Sequence, residues 1–446
     1  MKFKHKNVLV YGMSVSGEWV SKLLRKLKAN VFLFDDNLET LNKKQIKNCY
    51  VLNELNENLI EQFDFLVVSP AIEKDNPFLV LAGKYNKKIY SELEFASQFC
   101  KKLVAITGTN GKTTTTKIVT ALLQTKYKAI ACGNIGFPLS RAVLESKKSI
   151  KVAEVSSFML ENAQTFSPQV ATITNIEADH LIRHKTMQEY ATLKKSIFKN
   201  MKATDFAVVN LDNNFEVKTS SQVVTYSYNK IADVCVKNGV IWLHNQKIVA
   251  LNELKLKGKH NVYNIMCAIC FAYIYKIKPN KIRNVLINLQ GEKYRIEKVA
   301  TINGLNFVND SKSTNIASTI ASVESVKGAI ILLLGGSNKA LDYKPMFNKL
   351  SKRVKQIVVF GEIANQLILE NNNKFKMEKC KDLTEAFDFA TKNALSNDTV
   401  LLSPATASYD QYTSYIERGK HFDNLVKLYI SNSKLVTENE DIIKKK

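Results

Sequence analysis

The chain has 446 residues, with 64 Lys plus Arg against 41 Asp plus Glu and a formal net charge of +23. Hydrophobic residues make up 45% and Gly and Pro number only 16 and 7, which excludes a collagen-like or low-complexity chain. A length of this size predicts two to four domains at roughly 100–200 residues each, and the absence of any run of about 18 apolar residues excludes a membrane-spanning helix and membrane insertion. The charge invites a basic nucleic-acid-binding ATPase. The lysines are spread along the whole length, however, with no Arg-rich block or RNA-recognition motif, so no nucleic-acid partner is expected. The excess suits an enzyme with phosphorylated, carboxylated substrates. The seven Cys sit mostly in apolar contexts, and Cys267-x-x-Cys270 lies in an apolar helical run without a second pair, so reduced core thiols are expected. The opening MKFKHKNVLVYG runs straight into a strand, so no signal peptide and a cytoplasmic location are expected.

Strand-like runs alternate with helical patterns, which predicts an α/β protein with mainly parallel sheets. The first block, 1–100, has buried strands at 7–12, 31–35 and 65–69. The turn Gly12-Met-Ser-Val-Ser-Gly17 follows the first strand and opens the amphipathic stretch 18–28. This turn resembles a dinucleotide fingerprint with Ser for the middle Gly, and Asp35 ends the next strand where an acidic residue often meets a ribose. Alone it would suggest a NAD-dependent dehydrogenase. The second block, 101–290, has strands at 103–108, 129–133, 152–156, 170–176 and 206–212, a hairpin at Asn238-Gly239 and a closing helix at about 261–276. The third block, 291–446, has a hairpin at Asn303-Gly304 and strands at 329–336, 356–361 and 399–404, and its polar end from 437 is expected to fray. Three domains are expected, Rossmann-like at both ends around a central P-loop-type ATPase domain.

The second nucleotide signal is stronger. Ile106-Thr107-Gly108-Thr109-Asn110-Gly111-Lys112-Thr113-Thr114 links an apolar strand to a helical pattern. Glycines let backbone N–H groups turn toward phosphates, and the helix N-terminus adds partial positive charge. Lys112 supplies a point charge to the terminal phosphates, and the Thr113 hydroxyl suits Mg²⁺. Ile106 stands where the strict pattern has its first Gly, so this is a shorter variant with ATP as the expected ligand.

The loop TGTNGKT is similar to the ATP loop of the Mur ligase family. GNIG (133–136), EVSSF (154–158), ADH (178–180), HNVYN (260–264), NDSKSTN (309–315), LLGG (333–336) and SPATAS (403–408) follow in the family's order. The last two long motifs resemble the D-glutamate-adding branch, and no DNPR-type motif of the diaminopimelate- and lysine-adding branches is present. Three departures stand out: Ser69-Pro70-Ala71 for SPG, Tyr294 for a His, and Thr406 for a Cys. Folylpolyglutamate synthase shares the ATP loop, but its first domain would not begin with a strand and glycine turn like 7–17.

The resemblance implies an ATP-dependent amide ligase of peptidoglycan precursor synthesis that adds D-glutamate to UDP-N-acetylmuramoyl-L-alanine through an acyl phosphate. It implies Mg²⁺ at two sites: Thr113 and Glu154 at one, His180 and Lys194 at the other, with Lys194 carried as a carbamate formed from CO₂. Lys112, His180 and Lys194 are the implied catalytic residues. From the residues alone His180 reads as structural, Asp179 equally as a helix cap, and Lys194 as a surface lysine of its helix. Asn264, Arg295 and Asp310 are implied to contact ATP, with helix capping an equal reading for Asn261. Val15, Ser16, Asp35, Ser69 and Asn134 are implied on the UDP-substrate side. Lys312, Thr314, Lys339, Ser408 and Tyr415 are implied to bind D-glutamate, Lys339 reading otherwise as a loop lysine. Ser408 and Tyr415 are seven apart, which predicts one shared helix face. All partners are thus small molecules, a monomer is expected, and a site divided between domains would close only when they meet.

Overall fold

The computed structural model describes residues 3–43, 46–291, 293–338, 341–371 and 373–443. Most of its strands are continuous apolar runs, the pattern of parallel strands covered on both faces. The first sheet is wholly parallel. It contains β1 (Asn7–Tyr11), β2 (Asn30–Phe34), β3 (Tyr50–Val51), β4 (Phe65–Val68) and β5 (Lys88–Ser91), in the order β3-β2-β1-β4-β5. The second contains β6 (Leu103–Thr107), β7 (Ala129–Gly133), β8 (Ile150–Glu154), β9 (Val170–Ile173), β10 (Phe206–Asn210), β11 (Gln222–Ser227), β12 (Val234–Lys237), β13 (Val240–Leu243) and β14 (Gln246–Ala250). Its order is β14-β13-β12-β11-β10-β9-β6-β8-β7, antiparallel only at β12–β13 and β13–β14. The third contains β15 (Glu297–Ile302), β16 (Leu305–Asn309), β17 (Ile330–Gly335), β18 (Val354–Phe360), β19 (Met377–Lys379) and β20 (Thr399–Leu402). Its order is β15-β16-β20-β17-β18-β19, with only β15–β16 antiparallel.

Both hairpin signals act as expected. Asn238 and Gly239 have φ of 47° and 71°, and Asn303 and Gly304 have 50° and 81°, the paired left-handed residues of a two-residue turn. Along β17, Ile330, Leu332 and Leu334 enter one core while Ile331 and Leu333 enter the other, so a six-residue strand is buried end to end.

The chain forms two compact units, Met1–Lys255 with His260–Leu289, and Leu256–Lys259 with Gln290–Lys446. The first two sheets lie within the first unit, where residues of both contribute to one hydrophobic cluster. Residues 437–443 continue the helix Tyr415–Ile443, and 444–446 lie outside the described residues. One sequence expectation is corrected. Ser408 and Tyr415 do not share a helix, because this helix begins at Tyr415, where Ser414 accepts the Glu417 N–H and Thr413 pairs with the Glu417 carboxylate. The seven cysteines are free thiols, and Cys267 and Cys270 are packed in the core. Among the described residues no helix is long and apolar enough to cross a membrane.

Within the first unit the helix Glu92–Ser97 packs on Leu139–Glu145. Its Glu92 is fully buried: one carboxylate oxygen accepts the Ser140 N–H at 2.6 Å and the other has no partner. Burial pushes this carboxyl up from 4.5 to about 7. The folded state therefore binds more protons than the unfolded one between those values, and this group's contribution to stability falls as pH rises through that window. Glu92→Gln, which imitates the protonated acid, is expected to melt higher than the wild type at pH 8, by on the order of 2–3 kcal/mol. That advantage should shrink at pH 5 in parallel thermal melts.

Candidate active site

β6 delivers the chain to the loop, and Gly111, at φ 81°, caps the helix Lys112–Gln124. The first N–H groups of that helix have no intrahelical partner, which is the arrangement that receives an anion. Backbone and side chains of the neighbouring loop fix the rest. Thr109 and Asn110 donate their N–H groups to the Asn175 backbone and side-chain oxygens, and Thr174 Oγ1 donates to the Asn110 carbonyl at 2.6 Å. Thr109 Oγ1 donates to the Glu177 carbonyl and lies 3.1 Å from the Tyr190 hydroxyl. The glycines are required by close approach. A Cβ on Gly108 would lie 1.9 Å from Thr174 Oγ1, and one on Gly111 would lie 2.4 Å from Asn264 Oδ1. Asn264, on the helix Lys259–Ile274, is buried and accepts from Thr115 Oγ1, so it braces the loop from behind. Asn261 is its neighbour at 3.3 Å.

Lys112 Nζ folds back to donate to the Gly108 and Thr109 carbonyls at 2.9 and 2.7 Å. Lys194 Nζ donates to the same Gly108 carbonyl at 2.9 Å from the helix Met187–Lys195. Of the two adjacent lysines, Lys194 is 1% exposed, whereas Lys195 is half-buried with its Nζ 5.5 Å over the Phe215 ring. Burial, and then the Lys112 charge, pull the Lys194 amine down to about 6 against the opposing pull of Asp179. The reading of Lys194 as a surface lysine is overturned.

Glu154 ends β8, in register with Ile106 of β6 and Gly133 of β7. One carboxylate oxygen accepts from Asn134 Nδ2 at 2.8 Å, while the other is buried without a hydrogen-bond partner. Among the described residues no group of three or more His, Cys, Asp or Glu is placed to hold a metal by itself. A single carboxylate with a free oxygen beside a phosphate loop is the donor set Mg²⁺ accepts when phosphates and water supply the remainder. His180 sits at φ 55° with its ring 4.9 Å from Phe158 and its Nε2 3.7 Å from Asp179, and its side chain is 45% exposed. Asp179 accepts the His180 N–H.

Sequence reasoning missed the neighbours of His180. Arg183 pairs with both oxygens of Glu161, at 2.9 and 2.6 Å, and donates to the Ala71 and Ile72 carbonyls, so it joins the Ser69-Pro70-Ala71 loop to the second sheet's loops. His184 is buried against Phe158 and Ser157, and burial, with the His180 charge next, pulls its imidazole down to about 4. Neither residue belongs to a periodic pattern.

At the C-terminal edge of the first sheet, Val15 and Ser16 begin the helix Val15–Lys26, and Ser14 Oγ lies 3.1 Å from Ser69 Oγ. Asp35 accepts the Met13 N–H at 2.5 Å and the Asn37 N–H at 2.9 Å, so it braces the glycine turn. Val15, Ser16, Asp35 and Ser69 thus come together, whereas Asn134 belongs to the Glu154 group.

In the second unit, β16, β20 and β17 are adjacent parallel strands whose C-terminal ends carry NDSKSTN, SPATAS and LLGG. Lys312 Nζ lies 5.9 Å over the Tyr415 ring, Thr314 follows on the same loop, and Ser408 is buried on the next. Lys339 lies outside the described residues. Thr406, the departure from Cys, donates its hydroxyl to the Ser337 carbonyl and joins two of these loops. Arg295 is half-buried and donates to Ser313 Oγ at 3.1 Å. Asp310 is 0% exposed, and its oxygens accept from the Ile296 N–H, Ser322 Oγ and Ser403 Oγ, so it organises the loops around it.

A phosphate loop feeding a helix and a carboxylate on the adjacent strand define a nucleotide-binding α/β protein with a separate second α/β unit. Residues 106–272 match the Mur ligase middle domain and 294–406 the Mur ligase glutamate ligase domain. The chain is 34% identical to UDP-N-acetylmuramoylalanine–D-glutamate ligase of Thermoanaerobacter pseudethanolicus, over 96% of this chain and 99% of that one. It is 36% identical to the protein of the same name from Alkaliphilus oremlandii, with the same coverage. The chain belongs to the Mur ligase family. Its fold is similar to that of the MurF ligase of Thermotoga maritima in complex with ADP, with a TM-score of 0.60 at 16% identity over 96% of each chain. It is also similar to the UDP-N-acetylmuramate–alanine ligase of that organism, with a TM-score of 0.59 at 17% identity, covering 96% of this chain and all of the other.

The contact between Gly111 and Asn264 yields a coupled test. Gly111→Ala is expected to destabilise by the left-handed strain of about 1–2 kcal/mol plus the clash with Asn264. Asn264→Ala removes the obstructing amide, so the double variant should be more stable than the sum of the single losses predicts, as read by a thermal-melt cycle.

Proposed function

We propose that this chain is an ATP-dependent, ADP-forming ligase that joins D-glutamate to UDP-N-acetylmuramoyl-L-alanine in the cytoplasmic synthesis of peptidoglycan precursors. The observation that carries the reading is the pair of lysines on the Gly108 carbonyl, next to a helix N-terminus, in a chain that spans 99% of relatives bearing that name. In the proposed reaction a carboxylate oxygen of the UDP substrate attacks the terminal phosphorus of ATP, and the bond to ADP breaks. The D-glutamate amine then attacks the acyl phosphate, phosphate leaves, and the amine proton passes to solvent. Residues 101–290 take ATP on Gly108–Thr114, where Lys112 turns from the backbone carbonyls to the phosphates. Residues 1–100 take the UDP moiety at Val15, Ser16 and Ser69, with Asp35 holding the turn, and Asn134 faces the reacting end of that substrate. Residues 291–446 take D-glutamate with Lys312, Thr314, Lys339, Ser408 and Tyr415, while Arg295 reaches the nucleotide phosphates. All partners are small molecules, and the chain acts as a monomer.

Thr113 and the unpartnered Glu154 oxygen would hold one Mg²⁺ and His180 with carbamylated Lys194 a second, which would neutralise crowded phosphate oxygens. Lys194 suits carbamylation because its amine, pulled down to about 6, is neutral at physiological pH. Its nitrogen lone pair adds to CO₂, a carbon–oxygen π pair moves onto oxygen, and a proton leaves to solvent, which turns a neutral amine into an anion.

The reading is tested by ADP formation from ATP and UDP-N-acetylmuramoyl-L-alanine with D-Glu, L-Glu, D-Asp and diaminopimelate supplied in turn. Turnover is expected with D-Glu, and equal rates with all four would overturn it. Lys112→Ala should remain folded and lose about 100- to 1,000-fold in turnover, the cost of one charge-assisted contact in a closed site.

Lys194→Ala should be nearly inactive and recover with added acetate, whereas Lys195→Ala should match the wild type. Because protonation removes the nucleophilic amine, wild-type activity should fall reversibly as pH drops through about 6, and carbon-13 signal from labelled CO₂ should disappear in Lys194→Ala. Full activity of that variant would remove the carbamate from the reading.

A further inference from the structure

Arg418 is 0% exposed and is the largest fully buried side chain among the described residues. Among the described residues it forms no ion pair. All five of its N–H donors are engaged instead by uncharged oxygens: Nε to Ser311 Oγ (3.1 Å), Nη1 to the Gly335 and Ala407 carbonyls (3.1 and 3.3 Å), and Nη2 to the Ser311 and Thr406 carbonyls (3.0 and 3.1 Å). These acceptors stand at the C-terminal ends of β16, β17 and β20, the three loops that carry the amino-acid residues proposed above.

The surroundings are shaped to the guanidinium. Gly336, at φ 134°, passes so close that a Cβ there would lie 2.0 Å from the Ala407 carbonyl and 2.9 Å from Arg418 Nη1. Ser311 Oγ, which accepts from Nε, also donates to the Tyr415 carbonyl at 2.8 Å. The next residue, Gly419, leaves room for the Tyr294 ring, which a Cβ would meet at 2.5 Å, and the Tyr294 carbonyl accepts the Lys312 N–H at 3.0 Å. A fork with five fixed donors sets the spacing of three loops at once.

We propose that Arg418 is a positioning residue for the amino-acid substrate: by holding the three loops together it fixes Lys312, Ser408 and Tyr415 relative to one another. Burial pulls the guanidinium down only to about 10, so the charge persists at physiological pH. The inference rests on the proposed binding of D-glutamate by residues 291–446.

The test measures KM for D-Glu, ATP and UDP-N-acetylmuramoyl-L-alanine, with kcat, in the full-length wild type, R418K and S311A. R418K keeps the charge and loses the fork, and is expected to raise KM for D-Glu about tenfold, the loss of one or two hydrogen bonds, with the other two KM values within about twofold. S311A keeps Arg418 and removes the hydroxyl between Nε and Tyr415, and should raise KM for D-Glu about threefold. A merely structural role would lower the active fraction, and so kcat, without moving KM for D-Glu. Unchanged or uniformly raised KM values overturn the inference, and if R418K does not fold, S311A decides it. A wild type without D-Glu-dependent turnover fails the ligase reading itself, whereas an active wild type with unmoved KM in the variants fails only the role of Arg418.

Discussion

Two lysine ammonium groups pointing at one buried carbonyl are an unstable arrangement unless something negative arrives. Lys112 and Lys194 share the Gly108 oxygen, and the loop around it is braced by Thr174, Asn175 and Asn264. The tension is released in two ways. Lys112, on a half-exposed loop, can swing toward an incoming anion, while burial pulls the enclosed Lys194 amine down to about 6. The chemical difference between two identical side chains thus arises from burial. The Glu154 oxygen without a hydrogen-bond partner is the complementary demand, an uncompensated acceptor at the end of the strand beside the loop.

Much of the remaining polar machinery also braces the loops from within. Asp35 and Asp310 occupy positions where an acidic residue could be read as a ribose contact, yet each engages N–H or hydroxyl groups of its own unit. Asn264 supports the phosphate loop in the same way. A binding surface assembled from loops needs fixed partners beneath it, because a contact misplaced by an ångström loses much of its effect. Buried carboxylates, amides and the Arg418 guanidinium supply that fixity at the ends of parallel strands, where the sheet itself no longer restrains the chain.

The central strands were legible because parallel strands covered on both faces read as uninterrupted apolar runs; β1, β6 and β17 are examples. The Asn-Gly turns and the phosphate loop carry local signals that need no tertiary context. Edge strands such as β3 and β19 were not legible, since two or three half-exposed residues leave no pattern. The spacing of Ser408 and Tyr415 misled because a capped helix start at Tyr415 intervenes, a boundary written in Ser414 and Glu417 and not in the interval between the two residues. Arg183 and Arg418 escaped for another reason: an arginine that binds carbonyls has partners scattered over distant segments. Arg418 did leave one trace. It stands in line with Phe422, Leu425 and Val426 at helical spacing, a charge at the head of a buried apolar stripe.

The first hundred residues do not own all of their core. Val8, Val10, Leu93 and Phe95 pack in the same cluster as Leu103, Ala105, Cys132 and Ile173, while residues 290–446 contain both of their clusters entirely. The division between the two compact units accordingly lies near 290 and not near 100 in the sequence. A fragment that began at 101 would carry an uncovered apolar face into water, and one that stopped at 100 would carry its counterpart.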